Sequence, residues 1–222
     1  MNDKSINNLI TIQEDINSLG ISKDIKPQII CISKTFDIDR LKPLIDYGQI
    51  HFGENKVQET ESKWRSIKKE NKNIKLHMVG KLQTNKAKRA VDLFEYIHSL
   101  DNLKLANLLK KREIEIKKKL SYFIQVNIAG EKQKGGILPQ DVENFLNNCL
   151  KEIKLNVIGL MILPPNDELT EKYFRDLSEL NSKLGLKHLS MGMSNDYKLA
   201  IKFKSTFLRI GSAIMGPRTS IK

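Results

Sequence analysis

The residues with the most chemistry to offer stand where short apolar runs give out. Lys34 directly follows Gln28-Ile-Ile-Cys-Ile-Ser33, a β-branched and nearly continuous apolar stretch. An amine at the end of a buried strand loses part of the hydration that favours its charged form, and a neutral amine is a nucleophile. Towards an aldehyde it forms a carbon–nitrogen double bond, a Schiff base, with loss of water. Lysine is abundant in this chain and a single strand-end lysine is also an ordinary solvated charge, so the neighbours decide between the two readings. Late in the sequence Ser194 and Gly211-Ser212 bring hydroxyls and backbone amides to loop positions, which suits a phosphate group. Taken singly, Gly192 and Gly211 mean no more than tight turns. Arg209 lies two residues before Gly211, so an extended segment sends both to one face. An arginine set against a pyridine nitrogen has only donors and cannot take a proton from it. It would leave that nitrogen unprotonated and the ring a weak electron sink; a salt bridge on the rim is its competing role. An amine, a phosphate cradle and a pyridine partner together point to pyridoxal 5′-phosphate (PLP), held on Lys34 as a Schiff base.

Such residues need a scaffold that brings distant strand ends together, and the sequence alternates in the required way. Residues 4–19 carry apolar side chains at Ile6, Leu9, Ile10, Ile12 and Ile16, a helical spacing that stops at Gly20. Strands are expected at 28–33, 49–53, 75–80, 96–99, 122–128, 156–163, 187–191 and 206–210. Helices are expected at 37–47, 55–69, 84–93, 102–120, 139–150, 167–184 and 197–203. Eight strands are the number that closes a (β/α)8 barrel; a doubly wound open sheet would give the same alternation. The expected fold is α/β, a single TIM-type (β/α)8 barrel spanning 1–222, with 1–26 as a leading helix and connection. In a barrel of parallel strands the active site lies at the carboxyl ends. There the sequence places Lys34, Asn55, Lys81, Asp101, Asn127, Ser194 and Gly211-Ser212, a polar and small set that suits a phosphorylated ligand.

Composition narrows the alternatives. The chain is long enough for a substantial core, and its 40% hydrophobic content arrives in clustered runs. A formal charge of +12 would attract polyanions. The lysines are spread along the whole chain, however, and 6% aromatic residues with no interleaved basic-aromatic motif argue against a specific nucleic-acid surface. Cys31 and Cys149 lie far apart without CxxC spacing, and the four scattered histidines suggest no metal cluster. No run approaches the roughly 18 apolar residues of a membrane span, and the N-terminus lacks the apolar centre of a signal peptide. The expectation is a soluble cytoplasmic protein with no metal.

Seven motifs occur in order: Ile30-Cys-Ile-Ser-Lys-Thr35, His51-Phe-Gly-Glu-Asn-Lys-Val-Gln-Glu59, His77-Met-Val-Gly-Lys-Leu-Gln-Thr-Asn-Lys86, Val126-Asn-Ile, Gly159-Leu-Met161, Leu189-Ser-Met-Gly-Met-Ser194 and Arg209-Ile-Gly-Ser-Ala-Ile-Met-Gly216. Together they resemble the PLP homeostasis protein family, which is similar to the N-terminal barrel of alanine racemase. The resemblance runs from about Ile29 to Arg218. It implies Lys34 as the Schiff-base lysine, Arg209 as the neighbour of the pyridine nitrogen, phosphate contacts from Ser194, Gly211 and Ser212, and Asn55 near the ring. It also implies a monomeric or weakly associated barrel without established turnover that keeps PLP and amino-acid pools in balance; the leading expectation is a carrier or reservoir, with apo PLP-dependent enzymes as possible recipients. Three places depart from the family pattern. Lys81 stands where a histidine or a small residue is commoner, Gln133-Lys134-Gly135-Gly136 replaces a serine-containing stretch, and Ser212 replaces threonine. Lys81, Lys86 and Lys134 are candidates for a second PLP site. The rival reading is a PLP-dependent amino-acid racemase, which needs an acid/base group on each face of its substrate. One is commonly a tyrosine from a second domain, whereas here the chain ends six residues after Gly216. Of Tyr47, Tyr96, Tyr122, Tyr173 and Tyr197, the last is the least excluded as a substitute.

Overall fold

The computed structural model of the chain describes residues 3–19, 27–131, 133–165 and 167–217. Eight parallel strands pair in sequence order: β1 (Gln28–Ile32), β2 (His51–Glu54), β3 (Lys75–Met78), β4 (Tyr96–Leu100), β5 (Ser121–Gln125), β6 (Val157–Met161), β7 (His188–Ser190) and β8 (Phe207–Ile210). β1 and β8 close the barrel, with Gln28, Ile29, Ile30 and Cys31 opposite Phe207, Leu208, Arg209 and Ile210. That seam rules out the open sheet. Successive strand residues face opposite sides, so the register sets Ile30 beside Arg209 on the inner wall and turns Cys31 and Ile210 towards the helices, where they join the outer core.

The connections carry ten helices among the described residues: α1 (Lys4–Ser18), α2 (Ile38–Asp46), α3 (Val57–Trp64), α4 (Ile67–Glu70), α5 (Ala87–Leu93), α6 (Leu103–Ile116), α7 (Val142–Asn147), α8 (Thr170–Lys183), α9 (Tyr197–Lys202) and α10 (Ser212–Met215). α1 starts where the Asp3 carboxylate accepts from the Ser5 amide at 2.8 Å, and it buries Leu9, Ile12 and Ile16 at helical spacing. It braces the end of the chain: Asn8 Nδ2 donates to the Ile214 carbonyl (3.0 Å) and the Tyr197 hydroxyl donates to Asp15 (2.6 Å). The expected stop at Gly20 lies outside the described residues.

Three expected helices are shorter than their apolar spacing suggests. Residues 55–69 divide into α3 and α4. Residues 139–150 become a tight turn at Pro139–Asp141, α7 and a wide turn over Asn148–Glu152. Residues 102–120 end at Lys117, which takes a left-handed backbone with φ 53°. The cause there is a buried carboxylate, because Glu113 Oε1 accepts from the Leu120 amide (2.7 Å) and the Tyr122 hydroxyl (3.0 Å) and so turns the chain into β5. α10 was not expected from the sequence.

The barrel interior is filled by Ile30, Phe123, Met161 and Phe207 together with an unexpected group of histidines. The sequence suggests four scattered histidines; the fold brings His51, His77 and His98 into one file. His51 Nδ1 lies 2.9 Å from His77 Nε2, and His77 Nδ1 lies 2.9 Å from His98 Nε2. His77 stacks on Tyr96 with ring centroids 4.3 Å apart, and His98 stacks on Phe123 at 4.4 Å. Burial pulls His51 down to about 4 and holds His77 and His98 well below the ordinary histidine range of about 6.5.

Two outcomes follow from this packing. In the unfolded chain these histidines take up protons as pH falls through about 6.5, whereas the folded barrel refuses them until much lower. Stability is therefore level above that pH and falls from there towards pH 4. Urea unfolding at pH 7, 6 and 5 should show the slope of roughly two or more protons taken up on unfolding, and a flat profile would contradict neutral interior histidines. Separately, a Cβ at Gly159 would lie 1.9 Å from the His188 carbonyl oxygen on the adjacent strand. Gly159→Ala should cost about 1–3 kcal/mol or prevent folding, read as a lowered urea midpoint.

Candidate functional site

A cavity of about 470 Å³ opens at the carboxyl ends of the strands, within the range of small-molecule sites. The six residues assigned to PLP from the sequence line it: Lys34, Asn55, Ser194, Arg209, Gly211 and Ser212; of the other strand-end residues, Asn127 lines an adjoining cavity and Asp101 lines neither. Ile32, Val79, Leu163 and Pro164 supply apolar wall. Gly80 has no side chain because Asn55 fills that space, the Asn55 backbone oxygen lying 2.6 Å from where a Cβ would stand. Asn55 Oδ1 is buried without a hydrogen-bond partner in the protein. A buried acceptor left unmet at the wall of a cavity is suited to a ligand donor.

Lys34 sits in a turn whose two flanking residues are tied down by α3. On one side the Ser33 hydroxyl donates to Glu54 Oε1 (2.7 Å), and Lys63 Nζ donates to the Ser33 carbonyl (2.9 Å). Glu54 is fully buried, also accepts from Trp64 Nε1 (2.9 Å), and pairs with Lys63 at 2.9 Å. On the other side the Thr35 amide donates to Glu59 Oε1 at 2.8 Å. Thr35 has φ 69°, a left-handed conformation that a β-branched residue adopts only under constraint. The sequence reading counts Glu54 only as one of the strand-end residues, and it passed over Lys63 and Trp64. Their signal was a charged and an indole residue, Lys63 and Trp64, adjacent on the helix that follows the second strand.

Across the cavity Ser194 Oγ accepts from the backbone amides of Gly211 and Ala213, each at 3.2 Å. Those amides open α10, so a hydroxyl and two N–H groups meet at one point of the wall. Gly192, two residues before Ser194, has φ +92°, and a Cβ there would lie 2.6 Å from the Ala200 Cβ. For Gly192 the plain turn reading holds, and it is this turn that carries Ser194 back over β8.

Arg209 is 4% exposed, and among the described residues it forms no ion pair. Its Nη1 donates to Ser190 Oγ (2.7 Å) and its Nη2 to the Ile162 carbonyl (2.7 Å). Burial pulls the guanidinium down to about 10 while the Asp196 carboxylate pushes the other way, so it stays a cation at neutral pH. The rim salt bridge weighed from the sequence is absent from these contacts. Ser190 was also missed; it faces inward because it lies two residues from His188 along β7.

Other candidates fall elsewhere. Lys81 and Lys134 line an adjoining cavity of about 180 Å³, and Lys134 pairs with Glu131 at 2.6 Å. Lys86 lines neither cavity. Among the described residues no tyrosine lines the larger cavity, and the Tyr197 hydroxyl is engaged by Asp15. No group of three histidine, cysteine or acidic residues among the described residues could hold a metal ion, and no described helix is long and apolar enough to cross a membrane.

Comparison with known proteins agrees with this fold. The family model described as alanine racemase, N-terminal domain, matches residues 18–219. A pyridoxal phosphate homeostasis protein of Aquifex aeolicus is 35% identical over 209 residues, covering 90% of this chain and 86% of its own. That of Escherichia coli is 31% identical over 98% of both chains. Among solved structures, PipY of Synechococcus elongatus superposes with a TM-score of 0.86 without PLP and 0.84 with PLP bound, at 28% and 27% identity, over 96% of this chain and all of that one. Alanine racemase of Corynebacterium glutamicum shares the fold alone, with a TM-score of 0.68 at 15% identity over 93% of this chain and 59% of its own. The chain belongs to the alanine racemase N-terminal domain family and, within it, to the pyridoxal phosphate homeostasis proteins.

Proposed function

We propose that this chain binds PLP in the cavity at the carboxyl ends of its strands, joined to Lys34 as a Schiff base, and serves as a cytoplasmic carrier or reservoir in PLP homeostasis. The observation that carries the reading is the convergence of all six sequence-derived residues on one cavity of suitable size. Bound PLP supplies an aldehyde that condenses with an amine and a pyridine ring that can draw electrons from an attached carbon. Each end of such a molecule has a partner here. Ser194, Gly211 and Ser212 receive the phosphate through hydroxyls and backbone amides. Asn55, with its unmet carbonyl oxygen, stands beside the ring. Arg209 meets the pyridine nitrogen as a donor that keeps its own protons, since the guanidinium remains charged.

The same geometry favours holding over turnover. A racemase needs a second acid/base group opposite the lysine, and the described tyrosines point into the floor of the barrel, its outer core or solvent and not into the cavity. The donor-only Arg209 leaves the ring a weak electron sink. We propose a monomer whose recipients are apo PLP-dependent enzymes; the names of its relatives support the homeostasis role.

PLP added to the purified protein should give a visible absorption band that borohydride bleaches, with the reduced label on the Lys34 peptide. Lys34→Ala should take up neither colour nor label, and a label on another lysine would reject this assignment. Racemisation assayed with the loaded protein should stay at background; robust turnover lost in Lys34→Ala would favour the enzyme reading. The mounting of Lys34 gives a further outcome. Glu59→Ala frees the Thr35 amide and should weaken PLP uptake about tenfold, whereas Glu59→Gln, which keeps a carbonyl acceptor, should weaken it less. Equal uptake by both variants and the parent would show that the strained turn does not place the amine.

A further inference from the structure

Behind the cavity wall a single file of hydrogen bonds crosses the barrel. Arg209 Nη1 donates to Ser190 Oγ at 2.7 Å, and Ser190 Oγ lies 2.8 Å from His98 Nδ1. His98 Nε2 lies 2.9 Å from His77 Nδ1, and His77 Nε2 lies 2.9 Å from His51 Nδ1. The five residues come from β8, β7, β4, β3 and β2. The file runs to the amino-terminal end of the barrel, where His51 borders an opening with Gln28 and Gln49.

We propose that Ser190, His98, His77 and His51 are positioning residues for Arg209, and that all three imidazoles are neutral Nε2–H tautomers polarised away from the guanidinium. The role towards the ligand rests on the reading that Arg209 meets the pyridine nitrogen of PLP. A guanidinium only donates, so Ser190 Oγ accepts from Arg209. The Ser190 hydroxyl proton then goes to His98 Nδ1, its one other neighbour in the described hydrogen bonds. That leaves His98 to donate through Nε2 to His77 Nδ1, and His77 through Nε2 to His51 Nδ1. The His51 Nε2–H ends the file at the opening.

The reverse order fails at its last link. If His98 Nδ1 carried the proton, Ser190 would accept from both sides and its own hydrogen would have no acceptor there. Electrostatics choose the same direction, because in the proposed order every dipole turns its negative end towards the Arg209 cation. A charged imidazolium is shut out of the middle of the file. In His77 and His98 each ring nitrogen is already committed, one donating and one accepting, inside a wall of Tyr96, Phe123 and Phe207. The result is a rigid, neutral support. It fixes Ser190 Oγ as the acceptor for Nη1 while the Ile162 carbonyl takes Nη2, which sets the plane of the guanidinium and leaves its remaining N–H groups for the cavity.

Two arms of one experiment separate this proposal from the PLP reading. In the ligand-free full chain at pH 7, long-range ¹⁵N–¹H spectra of the histidines should show Nε2–H tautomers for His51, His77 and His98. The Arg209 Nη–H signals should be resolved in the parent and in Ser190→Thr, and averaged by guanidinium rotation in Ser190→Ala. A cationic or Nδ1–H ring among the three, or an Arg209 spectrum indifferent to Ser190→Ala, would overturn the proposal whether or not PLP binds. With PLP added, Ser190→Ala should bind about tenfold more weakly and shift the visible band, and Ser190→Thr should restore both. If PLP leaves no Lys34-dependent band in any variant, the cofactor reading fails and the ligand-free spectra alone decide the positioning role. If PLP loads normally but Ser190→Ala changes neither affinity nor band, the file does not act on the ligand and the proposal is rejected.

Discussion

Taking a cation out of water is costly unless other groups replace the hydration it loses, and Arg209 imposes that requirement at the centre of this barrel. The side chain can only donate, and among the described residues no carboxylate forms an ion pair with it. Neutral acceptors must therefore converge from elsewhere in the sequence: a hydroxyl from β7 and a carbonyl just past the end of β6. Both are in place only when the sheet is closed, because β8 reaches the register that aims Arg209 inward through its pairing with β1. Ser190 in turn is useful as an acceptor only if its proton has somewhere to go, and the histidine file provides that outlet. Closure, interior composition and one wall of the cavity are thus aspects of a single condition. An interior of aliphatic side chains alone would pack at least as well, but it would leave this guanidinium unmet.

Much of this was legible in the chain itself. The alternation of short apolar runs with helical spacing located all eight strands, and their number suggested closure, because parallel strands buried on both faces have a compositional signature that survives without knowledge of their partners. The six cavity residues were legible for a related reason: a strand end is easy to find, and barrel strand ends meet. What escaped was lateral. His51, His77 and His98 are separated by 26 and 21 residues, and nothing in their local sequence says that they face the same interior. Inward parity on adjacent strands would have been the clue, and it depends on strand boundaries known to one residue. The lengths of α6 and α7 escaped because apolar spacing continues past the point where a buried group takes over. At α6 that group is the Glu113 carboxylate, which captures the Leu120 amide before another turn can form.

The two ends of the cavity are held by different means, and the difference bears on what the site can do. Arg209 and its support are neutral-acceptor chemistry inside a closed wall, stiff because every member is packed. Lys34 is held from outside, by the Glu54 carboxylate at the end of β2 and the Glu59 carboxylate of α3, which grip the residues on either side of it while Lys34 itself lines the cavity. The left-handed Thr35 costs of the order of 1–3 kcal/mol, and the Glu59 bond to its amide is what offsets that cost. A strained turn of this kind fixes the backbone from which the Lys34 side chain leaves. Glu54 deepens the asymmetry, since its carboxylate is fully buried outside the cavity lining and its Oε1 is engaged by Ser33, Trp64 and Lys63, so that oxygen serves the mount. A site with one packed wall that does not give up protons, and one amine on a fixed base, has what reversible capture of an aldehyde requires. Among the described residues no tyrosine lines that cavity, so the tyrosine that commonly serves a racemase as its second acid/base group has no counterpart there. On this argument the proposed carrier role draws support from how the residues are mounted as well as from which residues they are.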